Sequence, residues 1–304
     1  MSIQHGTGTQ ADPYVVENWA ELTEAIAETT AYVTCADNLV IDLLDIYPSG
    51  IPTNAPILTF ECKEFDGNGI VIKNAYTLTA RTNESVIKIA TTCEALSNFN
   101  FINFYINLGN GLSLVRALHT NSFSIIPNCS FRGIVFIDGS QHKLFDHIIK
   151  FYNSIFNIKV IATGSLSSRS IYNTSIFDTC WLCIDSNTIW GCANGQRSFY
   201  NSYLEGNFEA RANNDKIINI GISVASVINA KCNAGTYTGC QIYAWSGSSL
   251  VLLNTSRLTG DITTATYSSS VSAFIECTDS QMKDYSYLVD IFPIVEYEEE
   301  NEDV

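Results

Sequence analysis

Charged side chains are scarce in this chain of 304 residues, and basic ones are the scarcest. Asp, Glu, Lys and Arg make up 15% of the residues, against roughly 25% in an ordinary soluble domain. Lys and Arg number 16 and Asp and Glu 31, so the formal net charge is −15. An acidic surface repels nucleic-acid phosphates and anionic lipid headgroups. We therefore expect neither nucleic acid nor a membrane as a partner.

Long hydrophobic runs are also lacking. No stretch approaches the roughly 18 apolar residues that suggest a transmembrane helix, and the first residues lack the basic and apolar regions of a secretory signal peptide. We therefore expect synthesis in the cytoplasm of a host cell. In that reducing compartment the 10 cysteines are expected to be buried free thiols rather than a disulfide framework.

What the sequence has in abundance is a short repeat: Asn, two further residues, and then an apolar residue that opens a predicted strand. Its copies begin at Asn98, Asn128, Asn153, Asn173, Asn201, Asn229 and Asn254, with a degenerate copy at Thr278. Successive starts are 20 to 30 residues apart. Self-similarity at a period of about 20–50 residues is typical of solenoids, propellers and arrays.

A coil of this length with two or three short strands favours a parallel β-helix, in which equivalent residues stack about 4.8 Å apart. The repeated Asn is then expected to form a ladder of amide hydrogen bonds from coil to coil. If that ladder is buried, replacing Asn128 or Asn201 with Leu should cost a few kcal/mol. A large β-sandwich, which also has short strands and polar turns, is the alternative.

Two further segments carry a resemblance to a known family. The stretch Glu64–Ile70 contains Asp-Gly-Asn-Gly, which resembles a turn in the first coils of right-handed parallel β-helix proteins of the pectin-lyase-like superfamily. The segments Gly6–Val16 and Trp19–Ile26 resemble the opening of β-helix proteins in bacteriophage genomes. The resemblance implies an all-β, single-stranded right-handed parallel β-helix with a short N-terminal capping α-helix, and a phage origin.

The chain is predicted to have three parts. Residues 1–36 form an N-terminal segment whose capping helix starts after Asn18, with Glu21 completing a capping box. Residues 37–290 form the parallel β-helix, and residues 291–304 form an apolar segment with an acidic tail. Near that end, the interface candidates are Leu288, Ile291, Phe292 and Ile294.

Candidate catalytic groups are few. If the chain were a glycosidase, it would need two carboxylates about 5–10 Å apart. The candidates are Asp178, Asp185, Glu205 and Glu209, with Asp215 nearby. The repeat alignment puts Asp178 beside Glu205, although solvated surface acids are the simpler interpretation.

Two other groups could bind a metal, but neither has a recognised ligand spacing. They are Asp138, His142, Asp146 and His147, and the pair Cys180 and Cys183. We expect neither a metal nor a cofactor.

These features favour a structural or interaction protein of a phage particle, such as a capsid decoration, tail or baseplate subunit. Its expected location is the virion, and its expected partners are other virion proteins and further copies of itself, in a homo-oligomer such as a trimer. A receptor spike that binds surface carbohydrate is one alternative. A polysaccharide depolymerase is the other alternative. Under the first hypothesis, the protein is not an enzyme.

Overall fold

A computed structural model gives the fold of the chain. It describes residues 3–109, 111–119, 124–138, 141–146, 149–163, 168–172, 175–178, 180–186, 197–200, 203–209, 218–222, 226–233, 240–244, 251–253, 258–259, 262–266 and 274–276. Side chains are described for 3–109, 111–119, 125–137, 144–146, 149–161 and 180. Among the described residues, no helix has the length and apolar character needed to cross a membrane.

Nearly every element is a short strand. In chain order the strands are β1 (Tyr14–Val16), β2 (Tyr32–Cys35), β3 (Val40–Asp42), β4 (Leu58–Phe60), β5 (Glu64–Lys73), β6 (Ile87–Ile89), β7 (Ala95–Leu108), β8 (Val115–Ala117), β9 (Ser124–Pro127), β10 (Ser130–Asp138), β11 (Gln141–Asp146), β12 (Ile149–Tyr152), β13 (Ile155–Thr163), β14 (Ser168–Tyr172), β15 (Ser175–Asp178), β16 (Trp181–Ser186), β17 (Arg197–Tyr200), β18 (Tyr203–Glu209), β19 (Ile218–Ile222), β20 (Ser226–Asn233), β21 (Cys240–Ala244), β22 (Val251–Leu253), β23 (Leu258–Thr259), β24 (Ile262–Thr266) and β25 (Phe274–Glu276). The helices are α1 (Trp19–Ile26) and α2 (Leu43–Ile46).

The strands stack in parallel on three faces, which confirms the predicted all-β parallel β-solenoid. The first face runs from β1 through β2, the starts of β5 and β7, and then β9, β12, β15, β17, β19, β21 and β24. The second runs from β3 through the ends of β5 and β7 to β10, β13, β16, β18, β20, β22, β23 and β25. The third contains β4, β6, β8, β11 and β14.

Coil lengths follow from the register on the second face. Phe101 pairs with Phe131, and Phe131 with Phe156, so these coils take 30 and 25 residues. The next two pairings, Phe156 with Leu182 and Leu182 with Leu204, give 26 and 22 residues. The predicted period is therefore close to the observed one.

The N-terminal end of the stack is covered by α1. Asn18 is its N-cap and accepts a hydrogen bond from the Glu21 amide at 3.0 Å. The Glu21 carboxylate in turn accepts from the amide of Glu17, one residue earlier than an ordinary capping box would place it. Leu22, Ala25 and Ile26 are buried against the first coils. Parallel pairing already begins at β1, inside the segment predicted as the cap.

Phenylalanine fills the centre of the solenoid. Phe145, Phe151 and Phe156 come from the third, first and second faces respectively, and their ring centroids lie 4.9–5.2 Å apart in edge-to-face arrangements. Along the axis, Phe131 stacks on Phe156 with centroids 5.6 Å apart and rings 4° from parallel. Aromatic contacts therefore tie the faces together within a coil and tie each coil to the next.

Candidate functional site

Asparagine side chains connect successive coils at the corner between the first and second faces. The Nδ2 of Asn153 donates to Asn128 Oδ1 at 2.9 Å, and the Nδ2 of Asn128 donates to Asn98 Oδ1 at 3.0 Å. All three residues have a positive φ, between 42° and 55°. Asn tolerates this left-handed conformation and also carries both a donor and an acceptor. It can therefore turn the chain and extend the hydrogen-bonded column at the same position.

This column is not buried, so the cost set out above for a buried ladder does not apply to Asn128. Asn128 and Asn153 are exposed, and Asn98 is half-buried. The corner bends the backbone outward, so the amides stack on the outer edge of the solenoid while Phe99, Phe131 and Phe156 point inward. An exposed amide competes with water, which makes each link weaker than a buried one.

A second corner, within the second face, repeats the arrangement. The Nδ2 of Asn103 donates to Asn74 Oδ1, and the Nδ2 of Asn74 donates to Asp42 Oδ2 at 2.7 Å. Asn74 and Asn103 again have positive φ values, 61° and 51°. The column ends at Asn103, because the register shifts between Arg132 and Gly133 and leaves Asn103 without a partner in β10. Sequence analysis missed this column, although the four Asn in β7, at positions 98, 100, 103 and 107, were a visible signal.

Each column starts at an aspartate. Asp66 Oδ1 accepts from the Asn98 Nδ2 at 2.7 Å and from the Asn68 backbone amide at 2.9 Å. Asp42 begins the second column, and Asp37 accepts from the Asn68 Nδ2 at 2.8 Å. Every Asn donates towards the N-terminal end, so the first residue of a column needs only to accept. An ionised carboxylate meets that requirement.

The remaining predicted ladder positions are not part of the described column. Asn173, Asn201 and Asn254 lie outside the described residues. Asn229 lies within β20, where it pairs with Glu205, rather than between two strands. Ser175, two residues after Asn173, pairs with Ile149 on the first face, whereas Tyr203, two residues after Asn201, pairs with Trp181 on the second face. The repeat alignment therefore slipped at these copies.

The strand register separates the predicted carboxylates. Asp178 pairs with Tyr200 on the first face, whereas Glu205 pairs with Cys183 on the second face. The expected position of Asp178 beside Glu205 is therefore wrong, because it depended on the slipped alignment. Asp185 pairs with Lys159, and Glu209 pairs with Asn233 in the same strand as Glu205. Asp215 lies outside the described residues.

The histidine-containing group spreads over two strands. Asp138 ends β10, while His142 and Asp146 belong to β11; His147 lies outside the described residues. Asp146 is buried, and its Oδ2 lies 3.8 Å from the Arg116 Nε. Among the described side chains, no group of three His, Cys, Asp or Glu residues could hold a metal ion.

The cysteines whose side chains are described are buried free thiols, as predicted: Cys35, Cys62, Cys93, Cys129 and Cys180. Burial raises the pKa of the Cys35 and Cys129 thiols to about 12. A hydrogen bond with Cys93, together with burial, raises the pKa of Cys62. Cys35, Cys62 and Cys129 are therefore protonated at neutral pH and act as small apolar side chains.

A buried arginine holds two loops together. Arg81 is 1% exposed, and its guanidinium donates to the carbonyl oxygens of Pro52 (2.6 Å), Ala55, Glu84 (3.0 Å) and Ser85 (3.2 Å). Burial lowers the pKa of Arg81 to about 10, so it remains charged at neutral pH. The first two carbonyls belong to the preceding coil, so this side chain fixes the loop of one coil to the loop of the next. Nothing in the sequence pattern marked it.

Apolar side chains also occupy the outer side of the second face, beyond the second corner. We call this surface the outer aromatic strip; its members are Tyr76, Leu78, Tyr105, Ile134, Phe136 and Ile161. Tyr105 pairs with Tyr76 on one side and with Ile134 on the other, and its ring lies 4.4 Å from that of Phe136. Leu78 is 74% exposed and Tyr105 is 47% exposed. A solvated sheet face ordinarily carries polar residues at such positions.

The interface residues predicted from sequence, Leu288, Ile291, Phe292 and Ile294, lie outside the described residues. The outer aromatic strip was not anticipated, because its members come from four coils that only the register brings together. The alternation of apolar and polar residues in β7 could have predicted that the Tyr105 side chain points outward.

Comparison with known proteins gives few matches. No protein-family model matches the chain, and no curated protein does. Among solved structures, the crystal structure of a putative immunoglobulin A1 protease from Bacteroides ovatus is similar, with a TM-score of 0.48 and 15% sequence identity. The match covers 95% of this chain and 90% of that one.

Proposed function

We propose that this chain is a rigid structural module of a phage particle, a subunit of the capsid exterior, tail or baseplate. The observation that carries the proposal is the Asp66–Asn98–Asn128–Asn153 column. Its links join residues 25 to 32 positions apart in sequence, so each one fixes a coil to its neighbour. A rod of this kind holds its two ends at a fixed distance and transmits force between them.

The mechanism in this proposal is mechanical. Parallel strand pairing, the Phe131–Phe156 stack and the Arg81 clamp each connect one coil to the next. Bending at the interface between β10 and β13 would have to break the strand pairing and the ring stack together, and the Arg81 clamp resists bending between two earlier coils. Stability in such stacks comes largely from nearest-neighbour interfaces. In this proposal, the described coils therefore resist bending together.

The test is to look for the protein in particles. Phage particles induced from the source bacterium are purified by density gradient, and the protein is sought by mass spectrometry and located with gold-labelled antibody. We expect it at a fixed position and a constant ratio to the major capsid protein. Its presence only in the lysate, and never in washed particles, would refute the proposal.

A carbohydrate-binding spike is the second candidate function, and one observation favours it. The rings of Tyr105 and Phe136 lie side by side on the outer face, and exposed aromatic rings can stack on sugar rings. The discriminating experiment is a glycan array probed with the purified chain and with Tyr105→Ala. Binding that is lost in the variant would support this second function over the first.

A depolymerase is a further hypothesis that depends on Asp178, Asp185, Glu205 and Glu209. The strand register places Asp178 and Glu205 on different faces, so this pair is not its basis. Glu205 and Glu209 lie in the same strand, four positions apart. Loss of polysaccharide cleavage in Glu205→Gln, with the fold intact, would be needed to establish it.

A further inference from the structure

We propose that Asn68 and Gly69 form a site of spontaneous deamidation, and that the reaction loosens the link between the first two coils. This inference concerns the chemistry of the chain itself and does not depend on the proposed role in a particle. Both residues are exposed and lie in the irregular part of β5, where its register with β7 shifts. Water therefore reaches the pair of residues on which the reaction depends.

The reaction needs only water and hydroxide as co-reactants. The Gly69 backbone nitrogen gives its proton to hydroxide and attacks the Asn68 Cγ. The tetrahedral centre then expels Nδ2, which takes a proton from water and leaves as ammonia, and a five-membered succinimide remains. Water opens this ring at Cγ to give aspartate, or at the main-chain carbonyl carbon to give isoaspartate. The net change consumes water and releases ammonia, with no oxidation or reduction.

The glycine after the asparagine makes this position reactive. A Cβ on the following residue crowds the attacking nitrogen, and Gly69 has none. Beyond its chain neighbours, no heavy atom of the described residues lies within 4 Å of the position that a Cβ would take there. Of the described asparagines with positive φ, Asn68 alone is followed by glycine. Asn98 and Asn128 turn the chain in the same way but are followed by larger side chains.

The neighbouring Asp66–Gly67 pair shows the opposite environment. Gly67 is buried, and a Cβ added there would collide with the Asn98 carbonyl oxygen of the next coil. Ring closure at Asp66 would therefore have to displace packed backbone, whereas ring closure at Asn68 takes place in open space.

The Asn68 side chain is a donor in the link between two coils, and its product cannot donate. Its Nδ2 donates to Asp37 Oδ1 at 2.8 Å and to the Cys35 carbonyl oxygen at 3.2 Å, both in the preceding coil. Deamidation replaces this donor with a carboxylate that faces Asp37 and lies close in sequence to Asp66. Like charges then repel where a hydrogen bond was made, and isoaspartate also adds a carbon to the main chain. The reaction therefore loosens the first coil from the second.

The first test measures conversion in the folded chain. The purified full chain is incubated in mildly alkaline buffer and digested, and mass spectrometry of the peptides follows the amide-to-acid change at each asparagine. Asn98 and Asn128 are the matched internal controls. The peptide map also separates Asn68 from the other Asn-Gly pairs of the sequence, at 110–111 and 194–195. We expect Asn68 to convert faster than either control by about tenfold or more. Conversion of Asn68 no faster than that of the controls overturns the proposal.

The second test asks whether the product loosens the link. Asn68→Asp makes the ordinary product directly, and combining it with Asp37→Asn exchanges donor and acceptor between the two coils. Asn83→Asp adds the same charge at another exposed position and is the matched control. We expect Asn68→Asp to melt at a lower temperature than the control and to be cleaved more readily by protease around residues 35–38. The exchanged pair should recover part of both losses, because the Cys35 carbonyl still lacks its donor.

Two outcomes of the second test count against the proposal. Asn68→Asp as stable and as protease-resistant as Asn83→Asp overturns the loosening of the coils. An exchanged pair no more stable than Asn68→Asp overturns its origin in the Asn68–Asp37 hydrogen bond.

Discussion

The Asn128 side chain donates a hydrogen bond to Asn98 across 30 residues of sequence, at 3.0 Å, while its own backbone sits in the left-handed region with φ near 55°. The same residue therefore makes the corner and connects it to the preceding coil. These two roles can be separated by substitution, because glycine retains the conformation without the amide.

Replacing Asn128 with Leu should lower the free energy of unfolding by about 2 kcal/mol. About 1 kcal/mol comes from holding Leu in the left-handed conformation, and about 1 kcal/mol comes from the lost side-chain hydrogen bonds. Asn128→Gly should cost less, since it keeps the conformation. Urea unfolding followed by circular dichroism measures both. Equal losses for the two variants would mean that the backbone conformation contributes nothing.

Asp66 begins its column as an acceptor of two hydrogen bonds. Asp66→Asn keeps an acceptor oxygen and should change stability by less than about 1 kcal/mol, whereas Asp66→Ala should cost about 1–2 kcal/mol because both donors lose their partner. Asp45, which makes no column contact and lies in α2, provides the control Asp45→Ala. Thermal melts of the three variants check the order. An Asn variant as unstable as the Ala variant would contradict an acceptor role.

Arg81 should be among the most sensitive described positions outside the aromatic core. Arg81→Met removes four hydrogen bonds to loop carbonyl oxygens and should cost about 3 kcal/mol or more, since each acceptor loses a charge-assisted partner. Arg81→Lys should recover only part of this, because an ammonium cannot reach the same spread of carbonyl oxygens. Limited proteolysis near residues 52–55 provides a local readout. Unchanged cleavage there in Arg81→Met would contradict a clamp between coils.

The buried thiols predict a pH dependence. Unfolded cysteine loses its proton near pH 9, whereas folded Cys35 and Cys129 hold theirs to about 12. Below pH 9 both states are protonated and these groups add no dependence. Between pH 9 and about 12 the unfolded state binds fewer protons than the folded state, so the free energy of unfolding falls as the pH rises.

Urea midpoints measured across this alkaline range should show the fall, and it should be smaller in Cys35→Ala with Cys129→Ala than in wild type. The same residues should resist iodoacetamide in the folded protein at neutral pH and react once it is unfolded, as peptide mapping can follow. Rapid labelling of folded Cys129 would show that its thiol is accessible.

The class of fold follows from the amino-acid pattern alone. Repeated Asn before apolar residues, short β-rich runs and a repeat spacing of 20 to 30 residues predicted stacked coils, and Asn98, Asn128 and Asn153 are in one column as the spacing implied. Asn18 and Glu21 likewise located the start of α1. These signals are local, since a turn conformation and a helix cap depend on residues a few positions apart.

Which residues of different coils lie side by side depends on the strand register, and only the folded coils show that register. Coils of unequal length shift every later alignment, so sequence spacing wrongly put Asp178 beside Glu205 and could not show Tyr76, Tyr105 and Phe136 on one surface. Whether the Asn column faces the core or the solvent depended on which way each corner bends. The role of Arg81 could not be predicted for a similar reason. Two of its partners are backbone carbonyl oxygens of another coil, and a sequence pattern does not show which backbone carbonyls accept hydrogen bonds.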